Sequence, residues 1–256
     1  MISKESIKKV IMGLDISTKT VGVTIATWDE VSEEPNILIV THLRPKNINK
    51  TKNKTESLFI KSDIICKGLS EYVKFGITDI VIEEPMIGTN NAKTAASLLR
   101  FNGMISQSVY NIFGIVPEFI SSYDARKYGC PQLFAIRKYK KDGTHYDKEK
   151  IIEFIKGNKI QLFGEYPFDC QKKYILWSMV SERYPDIKWS YSDNGELKDE
   201  NFDACDSLIC VLGYIKSILY KDTAPSITLF TQDENSIEYC FNFCGNTFTK
   251  TIQFQS

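Results

Sequence analysis

Two acidic residues follow directly after apolar segments that read as β-strands. Asp15 follows Val10–Leu14, and a Ser/Thr-rich turn comes next, before the chain returns as a second apolar run. Glu83 follows Ile80–Ile82, and Pro85 then ends the strand. A carboxylate buried at such a position is costly unless it is paired, hydrogen-bonded or bound to a metal. Taken alone, Asp15 reads more simply as an aspartate that caps its own turn, so its interpretation depends on partners elsewhere in the chain.

Two further acidic residues, Asp203 and Asp206, fall in a long apolar segment. The segment Phe202–Leu219 has the composition of a buried helix, and the i,i+3 spacing puts both carboxylates on one helix face. Two like charges on that face repel each other, so a positive partner is expected beside them. Alone, Asp203 would read as a first-turn acid favoured by the helix dipole, and Asp206 as an exposed helix residue.

Together, the four acids indicate a metal site. Carboxylates that converge from two strand ends and one helix form an oxygen-rich site suited to Mg²⁺ or Mn²⁺. Two such ions about 4 Å apart can activate a water molecule and stabilise the leaving oxygen in phosphodiester hydrolysis. The predicted metal ligands, which are also the predicted catalytic residues, are Asp15, Glu83, Asp203 and Asp206.

The composition is that of an ordinary soluble protein. The chain has 256 residues, of which 43% are apolar and 25% charged, and this length corresponds to one large domain or two small ones. No apolar run is long enough to span a membrane, and the first residues resemble neither a signal peptide nor a transit peptide. We expect a cytoplasmic protein with no membrane partner. The bias toward Lys, Ile and Asn favours an AT-rich bacterial genome, or a virus whose protein acts in the host cell.

The cysteines and histidines do not complete another catalytic or metal site. An odd number of cysteines, seven, lies mostly in apolar surroundings, which favours reduced thiols. Cys240 and Cys244 have a spacing that could hint at zinc, but no second pair or nearby histidine completes the site. The two histidines, His42 and His145, stand alone in the sequence.

The remaining periodicity predicts an α/β fold. The runs before and after Asp15 form a hairpin of two strands. Short apolar runs predict further strands, and apolar residues at spacings of three, four and seven predict helices. The predicted strands cover Asn36–Thr41, Thr78–Pro85 and Val116–Ser122, and the predicted helices cover Thr55–Phe75, Asn91–Phe113, Asp147–Ile155, Asp169–Arg183 and Phe202–Leu219. Residues Pro225–Gln255 change character and predict a C-terminal β-hairpin or meander.

Local basic segments could bind nucleic acid although the formal net charge is zero. The loop Arg44–Lys54 is either a solvated loop or a contact to phosphates, and Tyr123–Lys150 mixes basic and aromatic residues. Such a mixture can track phosphates and stack on bases, but it can equally be a lysine-rich surface, and both interpretations stay open. The candidate nucleic-acid contacts are Lys19, Arg126, Lys127, Arg137, Lys138, Lys140 and Lys141.

The order of these motifs resembles a known group of nucleases. The motifs are GLDIST at Gly13–Thr18, DIVIEEP at Asp79–Pro85 and FDACDSL at Phe202–Leu208. The predicted order is a hairpin carrying an Asp, a third strand, a helix, a strand ending in Glu, a helix, a strand and a final helix with D-x-x-D. This order is similar to that of the RNase H-like superfamily, and within it to that of RuvC-type Holliday junction resolvases. Each motif is weak alone; their order and spacing together are fairly specific.

The resemblance implies a set of roles for residues of this chain. The four acids named above would be the metal ligands of a mixed five-stranded sheet flanked by helices. Glu83 is favoured over Glu84 because the acid of the family follows the apolar strand directly. The helix Asn91–Phe113 would form a homodimer, and Met86 or Ile87 would lie at the centre of a four-way junction.

Two segments depart from a minimal member of this family. Residues 129–200 are longer than such a member requires, and the β-rich segment beyond Lys221 is extra. We therefore divide the chain into a nuclease domain, 1–221, that contains the insertion, and a C-terminal extension, 222–256. These additions affect the expected junction specificity more than the expected chemistry.

The leading hypothesis is a metal-dependent endonuclease that resolves Holliday junctions or other branched DNA. A second hypothesis keeps the chemistry but replaces the substrate by structured RNA or an RNA–DNA hybrid. G-x-D-x-S/T after a first strand also occurs in actin-like ATPases and sugar kinases, but no later Gly-rich phosphate motif supports that class. A non-catalytic nucleic-acid-binding module is the fourth alternative.

Overall fold

A mixed five-stranded sheet forms the centre of the fold. The computed structural model describes residues 8–30, 32–45, 53–85, 92–233 and 235–254. The strands of the sheet are β1 (Lys8–Ile16), β2 (Val21–Asp29), β3 (Asn36–Leu43), β4 (Asp79–Glu83) and β5 (Glu118–Ile120). The strand order is β3-β2-β1-β4-β5; β1, β2 and β3 are antiparallel neighbours, whereas β4 runs parallel to β1 and to β5.

Helices cover both faces of this sheet. The helices are α1 (Lys54–Ser70), α2 (Ala92–Phe113), α3 (Ser122–Gly129), α4 (Lys148–Lys156), α5 (Lys172–Arg183) and α6 (Glu200–Leu219). One face of the sheet packs against α1 and α2 through residues such as Leu69 and Ile105. The opposite face packs against α6, on which α3 and α5 lie, through residues such as Leu208 and Ala125.

Side chains along a strand alternate between the two faces of the sheet, and this alternation separates the two cores and sets the direction of the acidic side chains. On β1, Met12 and Leu14 belong to the core beneath α1 and α2, whereas Ile11 belongs to the core beneath α6. Successive side chains alternate between faces, so Asp15 points to the side of α6. On β4, Val81 lies in the core beneath α6, and Glu83 therefore points the same way.

Two glycines let α6 lie directly on the sheet. A Cβ atom on Gly13 would stand 2.5 Å from Cγ2 of Val211, and one on Gly22 would stand 2.9 Å from the backbone nitrogen of Ala204. Both distances are shorter than side chains tolerate, so only glycine permits this approach. Nearby, the buried hydroxyls of Thr24 and Ser207 form a 2.8 Å hydrogen bond between β2 and α6.

A third core joins the inserted and C-terminal segments. The strands involved are β6 (Phe134–Ile136), β7 (Ile160–Leu162), β8 (Ser226–Gln232), β9 (Ser236–Phe243) and β10 (Asn246–Gln253). The C-terminal sheet has the order β10-β9-β8, and its residues Tyr239 and Phe241 pack with Phe134 and Ile151 of the insertion. The Tyr239 hydroxyl accepts a hydrogen bond of 2.8 Å from the backbone N–H of Ile136. The proposed boundary near residue 221 therefore separates segments that share one core.

The observed architecture confirms the predicted fold class. The mixed five-stranded sheet, its flanking helices and the C-terminal meander are all present, in the order that the resemblance to the RNase H-like fold implies. Two local predictions were wrong. The helix expected over Thr55–Phe75 ends at Ser70 and is followed by a short 3-10 turn, and the strand expected over Val116–Ser122 is only β5. The short elements α3, β6 and β7 were not predicted; α3 ends where the insertion begins, and β6 and β7 pair within it.

Two expectations about the chain as a whole have structural counterparts. No helix within the described ranges is long and apolar enough to cross a membrane. All seven cysteines lie in the described ranges and are free, as expected for reduced thiols.

The close approach of α6 makes Gly22 sensitive to substitution. We expect Gly22→Ala to destabilise the fold by about 2–4 kcal/mol, because the new methyl group must displace backbone of α6. Thermal unfolding followed by circular dichroism measures this.

Gly103→Ala is the matched control, because a Cβ atom at Gly103 of α2 meets no atom within 4 Å. Alanine has the higher helix propensity, so this variant should be as stable as the wild type or up to about 1 kcal/mol more stable. Equal Tm values for the two variants would contradict the account of close packing.

Candidate metal centre

Three carboxylates meet at one edge of the central sheet. Asp15 comes from the end of β1, Glu83 from the end of β4, and Asp206 from the second turn of α6. One oxygen atom of each lies within 4.8 Å of the others. Asp206 is buried and the other two side chains are half-buried, so the cluster is partly removed from solvent. The sequence predicted that these three residues would meet, and the structure brings them together.

The backbone opposite Asp15 explains how α6 reaches the cluster. Asp15 pairs directly with Gly22 across the β1–β2 ladder. Because Gly22 has no side chain, the first turn of α6 lies against it at Asp203 and Ala204. Asp206, one helical turn further along, then faces Asp15.

Glu83 and Glu84 have different environments. Glu83 lies in the cluster, and the Cys210 thiol lies 3.8 Å from one of its carboxylate oxygens. Glu84 is exposed and lies outside the cluster, while its backbone N–H donates to the carbonyl oxygen of Ile120. The geometry thus favours Glu83, as the sequence did.

Asp203, the fourth predicted ligand, lies beside the cluster and not within it. Its carboxylate accepts hydrogen bonds from Ser17, at 3.1 Å, and from Thr20, both in the turn between β1 and β2. This explains the Ser/Thr-rich turn after Asp15, which ties the first turn of α6 to the sheet. Asp203 remains a predicted ligand and has a structural role in addition.

The cluster is electrostatically strained without a cation. Burial, followed by repulsion from Glu83 and Asp206, raises the pKa of Asp15 well above its usual range. Burial, followed by the charge of Asp206, raises the pKa of Glu83 to about 7. Burial also raises the pKa of Asp206, although Arg126 opposes this effect. Carboxyl groups in such a cluster gain much from a bound cation.

Two basic side chains partly offset this charge. A guanidinium nitrogen of Arg126, on α3, lies 3.5 Å from a carboxylate oxygen of Asp206, and both side chains are mostly buried. Lys173, on α5, lowers the pKa of Asp15 and of Asp206 through its charge. From the sequence we expected a positive partner, but we predicted Arg126 only as a contact to nucleic acid. Lys173 was not predicted, because it lies in the insertion and gives no local signal.

The donor set fits a divalent cation such as Mg²⁺ or Mn²⁺. The cluster offers carboxylate oxygens and no histidine nitrogen, a choice typical of sites for hard divalent ions. Two positive side chains are fewer than the charges of Asp15, Glu83, Asp203 and Asp206, so a cation would complete the balance. The residues present therefore fit the metal that the sequence predicted.

A large cleft adjoins the cluster on the side of Asp203. Its volume is about 1210 Å³, and Ser17, Thr20 and Asp203 are among the residues that line it. Its walls come from the β1–β2 turn, the first turn of α6 and the start of α5. Basic side chains along these walls are Lys19, Arg44, Lys172, Lys173 and Lys198.

The predicted nucleic-acid contacts have varied environments. Lys19 is exposed at the cleft, whereas Arg126 is engaged with Asp206. Lys127 lies 4.7 Å from the ring centre of Tyr128, and the Nε of Arg137 donates to the carbonyl oxygen of Tyr139. Lys138 and Lys140 lie near the rings of Tyr139 and Tyr146, and Lys141 is exposed. In the loop Arg44–Lys54, residues 46–52 lie outside the described ranges, as do Met86 and Ile87.

Comparisons with known proteins show low similarity. No protein-family model matches the chain, and no curated protein matches it. A structure of Thermus thermophilus RuvC with a Holliday junction substrate is 9% identical, with a TM-score of 0.43 over 80% of this chain and 94% of that one. A Fowlpox virus resolvase with Holliday junction DNA is 11% identical, with a TM-score of 0.33 over 82% and 99%. A Ppx/GppA family member from Aquifex aeolicus is 9% identical, with a TM-score of 0.32 over 97% and 52%. With every TM-score below 0.5, these similarities decide nothing about function, which depends on the residues of the site.

The raised pKa of Glu83 predicts how stability changes with pH. Its pKa is about 7 in the folded protein and near 4.5 in an unfolded chain, so the folded state binds more protons between these values. The metal-free protein should therefore lose stability as the pH rises from 5 to 8, by up to about 3 kcal/mol.

Glu83→Gln removes this titration and the repulsion that causes it. We expect this variant to have a higher Tm than the wild type at pH 8 in EDTA, and a smaller Tm increase on addition of Mg²⁺. Glu84→Gln is the matched control and should behave as the wild type. Differential scanning calorimetry measures both effects, and a wild-type Tm that rises steadily from pH 5 to 8 in EDTA would contradict this assignment.

Proposed function

We propose that this protein is a metal-dependent, structure-selective DNA endonuclease that resolves four-way junctions or other branched DNA by phosphodiester hydrolysis. The observation that carries the proposal is the cluster of Asp15, Glu83 and Asp206, next to a cleft that Asp203 and several basic side chains line. Carboxylates at this spacing serve to hold divalent ions, and the lysines beside them suit a phosphate backbone.

The residues of the chain have distinct roles in this proposal. Asp15, Glu83 and Asp206 would hold the divalent ions, two per site, with Asp203 as the fourth candidate ligand. When bound, such ions supply an activated water molecule and stabilise the leaving oxygen. Arg126 keeps the Asp206 carboxylate oriented and adds positive charge where the scissile phosphate would lie. Ser17 and Thr20 hold the first turn of α6 in place through Asp203.

A two-fold dimer would suit a four-way junction, because it presents two equivalent sites to two equivalent strands. On α2, Leu99 and Tyr110 are 42% and 47% exposed. They are eleven residues apart, about three helical turns, and therefore share one face that points away from the core. This exposed apolar face of α2 is the candidate dimer interface.

The interface can be tested by placing a charge on that face. We expect Leu99→Arg to lower the dimer fraction at least tenfold in sedimentation equilibrium, because the arginine would be buried unpaired between two helices. Val116→Arg is the control, since Val116 is 75% exposed in the loop after α2. A wild type that stays monomeric at high concentration, or equal behaviour of both variants, would contradict the dimer.

The proposed activity is tested with a synthetic four-way DNA junction in Mg²⁺ and in Mn²⁺. Wild type should introduce symmetric nicks, and Asp15→Asn should lower the single-turnover rate by at least about a thousandfold, since it weakens the ion site. Glu84→Gln is the matched control and should cut at the wild-type rate.

The substrate panel separates the alternatives. Linear duplex DNA should remain uncut, whereas cutting of an RNA–DNA hybrid or a structured RNA alone would keep the chemistry and replace the substrate. Tight junction binding with no cutting of any substrate would leave only a nucleic-acid-binding module, and the endonuclease proposal would be wrong.

A further inference from the structure

Two exposed aromatic rings line the cleft beside the carboxylate cluster. Phe168 is 61% exposed in the loop before α5, and Tyr174 is 46% exposed in the first turn of that helix. Both line the same cleft as Lys172, Lys173, Lys198 and Asp203. Exposed apolar side chains that share one cleft can mark a ligand-binding groove, since their exposure forgoes the stabilisation that burial would give.

Tyr174 is held by the helix that carries the acidic residues. Its ring packs edge-on against the ring of Phe202, with centroids 5.0 Å apart and an angle of 74°. Phe202 is buried in the first turn of α6, directly before Asp203, and the ammonium group of Lys173 lies 5.7 Å from its ring centre. The first turn of α6 therefore carries Asp203 and, through Phe202, also positions Tyr174.

Side chains of both charges line the cleft. Lys172, Lys173 and Lys198 face it together with the acidic residues Asp169 and Asp199. Glu200, also on the wall, is paired with Arg44 at 3.4 Å. Lysines and exposed rings in one cleft suit a single strand, because the lysines can contact its phosphates and the rings can stack on its bases.

The size of the cleft also favours a polymer. Its volume of about 1210 Å³ exceeds the range of about 300–1,000 Å³ that small-molecule pockets occupy. One of its lining residues, Asp203, lies one helical turn from Asp206 of the cluster that would act on the phosphodiester. A strand whose phosphate lay at the cluster would thus place neighbouring nucleotides along the wall formed by α5.

We propose that Phe168 and Tyr174 form a stacking platform for an unpaired DNA base next to the scissile phosphate. The inference rests on the proposed function and deepens it, because it makes an unpaired base at a branch point the feature that the enzyme selects. Lys172 and Lys173 contact the phosphates that flank this base. A fully paired duplex cannot offer such a base without unstacking it, so the platform discriminates against linear DNA.

The test is a binding cycle between protein variants and modified junctions. Equilibrium dissociation constants are measured in Mg²⁺ in the Asp15→Asn background, so that the junction stays intact. Nucleotides around the branch point are replaced one at a time by an abasic residue. In the background protein, one position should weaken binding about 5- to 100-fold, the loss expected for one base–aromatic stack.

Tyr174→Ala should weaken binding to the intact junction by a similar factor and show no further loss at that abasic position. Tyr174→Phe, which keeps the ring, should bind as the parent does. Tyr191→Ala is the matched control, because Tyr191 is 49% exposed and lies outside the cleft. Should Tyr174→Ala fail to fold, Phe168→Ala takes its place, since the greater exposure of Phe168 makes its removal harmless to packing.

Several results would overturn the inference. Losses that multiply independently at every abasic position would show that no base contacts Tyr174, and so would unchanged binding by Tyr174→Ala and Phe168→Ala. If the effects of Tyr174→Ala and of the abasic position overlap with unpaired RNA but not with DNA, the choice of DNA is wrong. If wild type cleaves the junction but the two effects are independent, the platform alone is rejected. If the two effects overlap but wild type cleaves no substrate, the nuclease alone is rejected.

Discussion

The close approach of α6 to β1 and β2 is the constraint on which the rest of the structure depends. The helix lies so close to Gly13 and Gly22 that neither position has room for a side chain. The helix can therefore bring Asp206 within reach of Asp15, which lies opposite Gly22 in the strand ladder. If α6 stood one side-chain layer further away, the acids of the helix and of the strands could not bind the same ion. The polar contacts between α6 and the β1–β2 turn serve this same approach.

That packing creates an electrostatic conflict by bringing like charges together, and this repulsion indicates a function for the site. Three carboxylates share a partly buried space, where burial raises the pKa of each and the charge of Asp206 further raises the pKa of Asp15 and of Glu83, while Arg126 and Lys173 supply only part of the opposing charge. A protein selected for stability alone would replace such acids by apolar residues. Sites that keep like charges together at a cost in stability are typical of catalysis and ion binding. A divalent ion would relieve the conflict, and this links the fold to the proposed chemistry.

The sequence predicted those parts of the site that local patterns encode. Asp15 and Glu83 end apolar strands, and the spacing of Asp203 and Asp206 on an apolar helix placed both on one face. Three features escaped because they arise from tertiary contacts. Asp203 turns to the hydroxyl groups of Ser17 and Thr20, Arg126 pairs with Asp206, and the insertion places Lys173 beside the cluster. Short elements such as α3 and β6 were also missed, because three- to eight-residue elements carry little periodicity.

The most direct test of the central claim is anomalous diffraction from crystals soaked in Mn²⁺. We expect at least one anomalous peak within about 2.5 Å of carboxylate oxygens from Asp15, Glu83 and Asp206, and loss of this peak in Asp15→Asn. We also expect the peak to appear without displacement of α6 from Gly13 and Gly22. Fully soaked wild-type crystals with no peak between these carboxylates, while Mn²⁺ binds elsewhere on the protein, would contradict the metal centre and the function built on it.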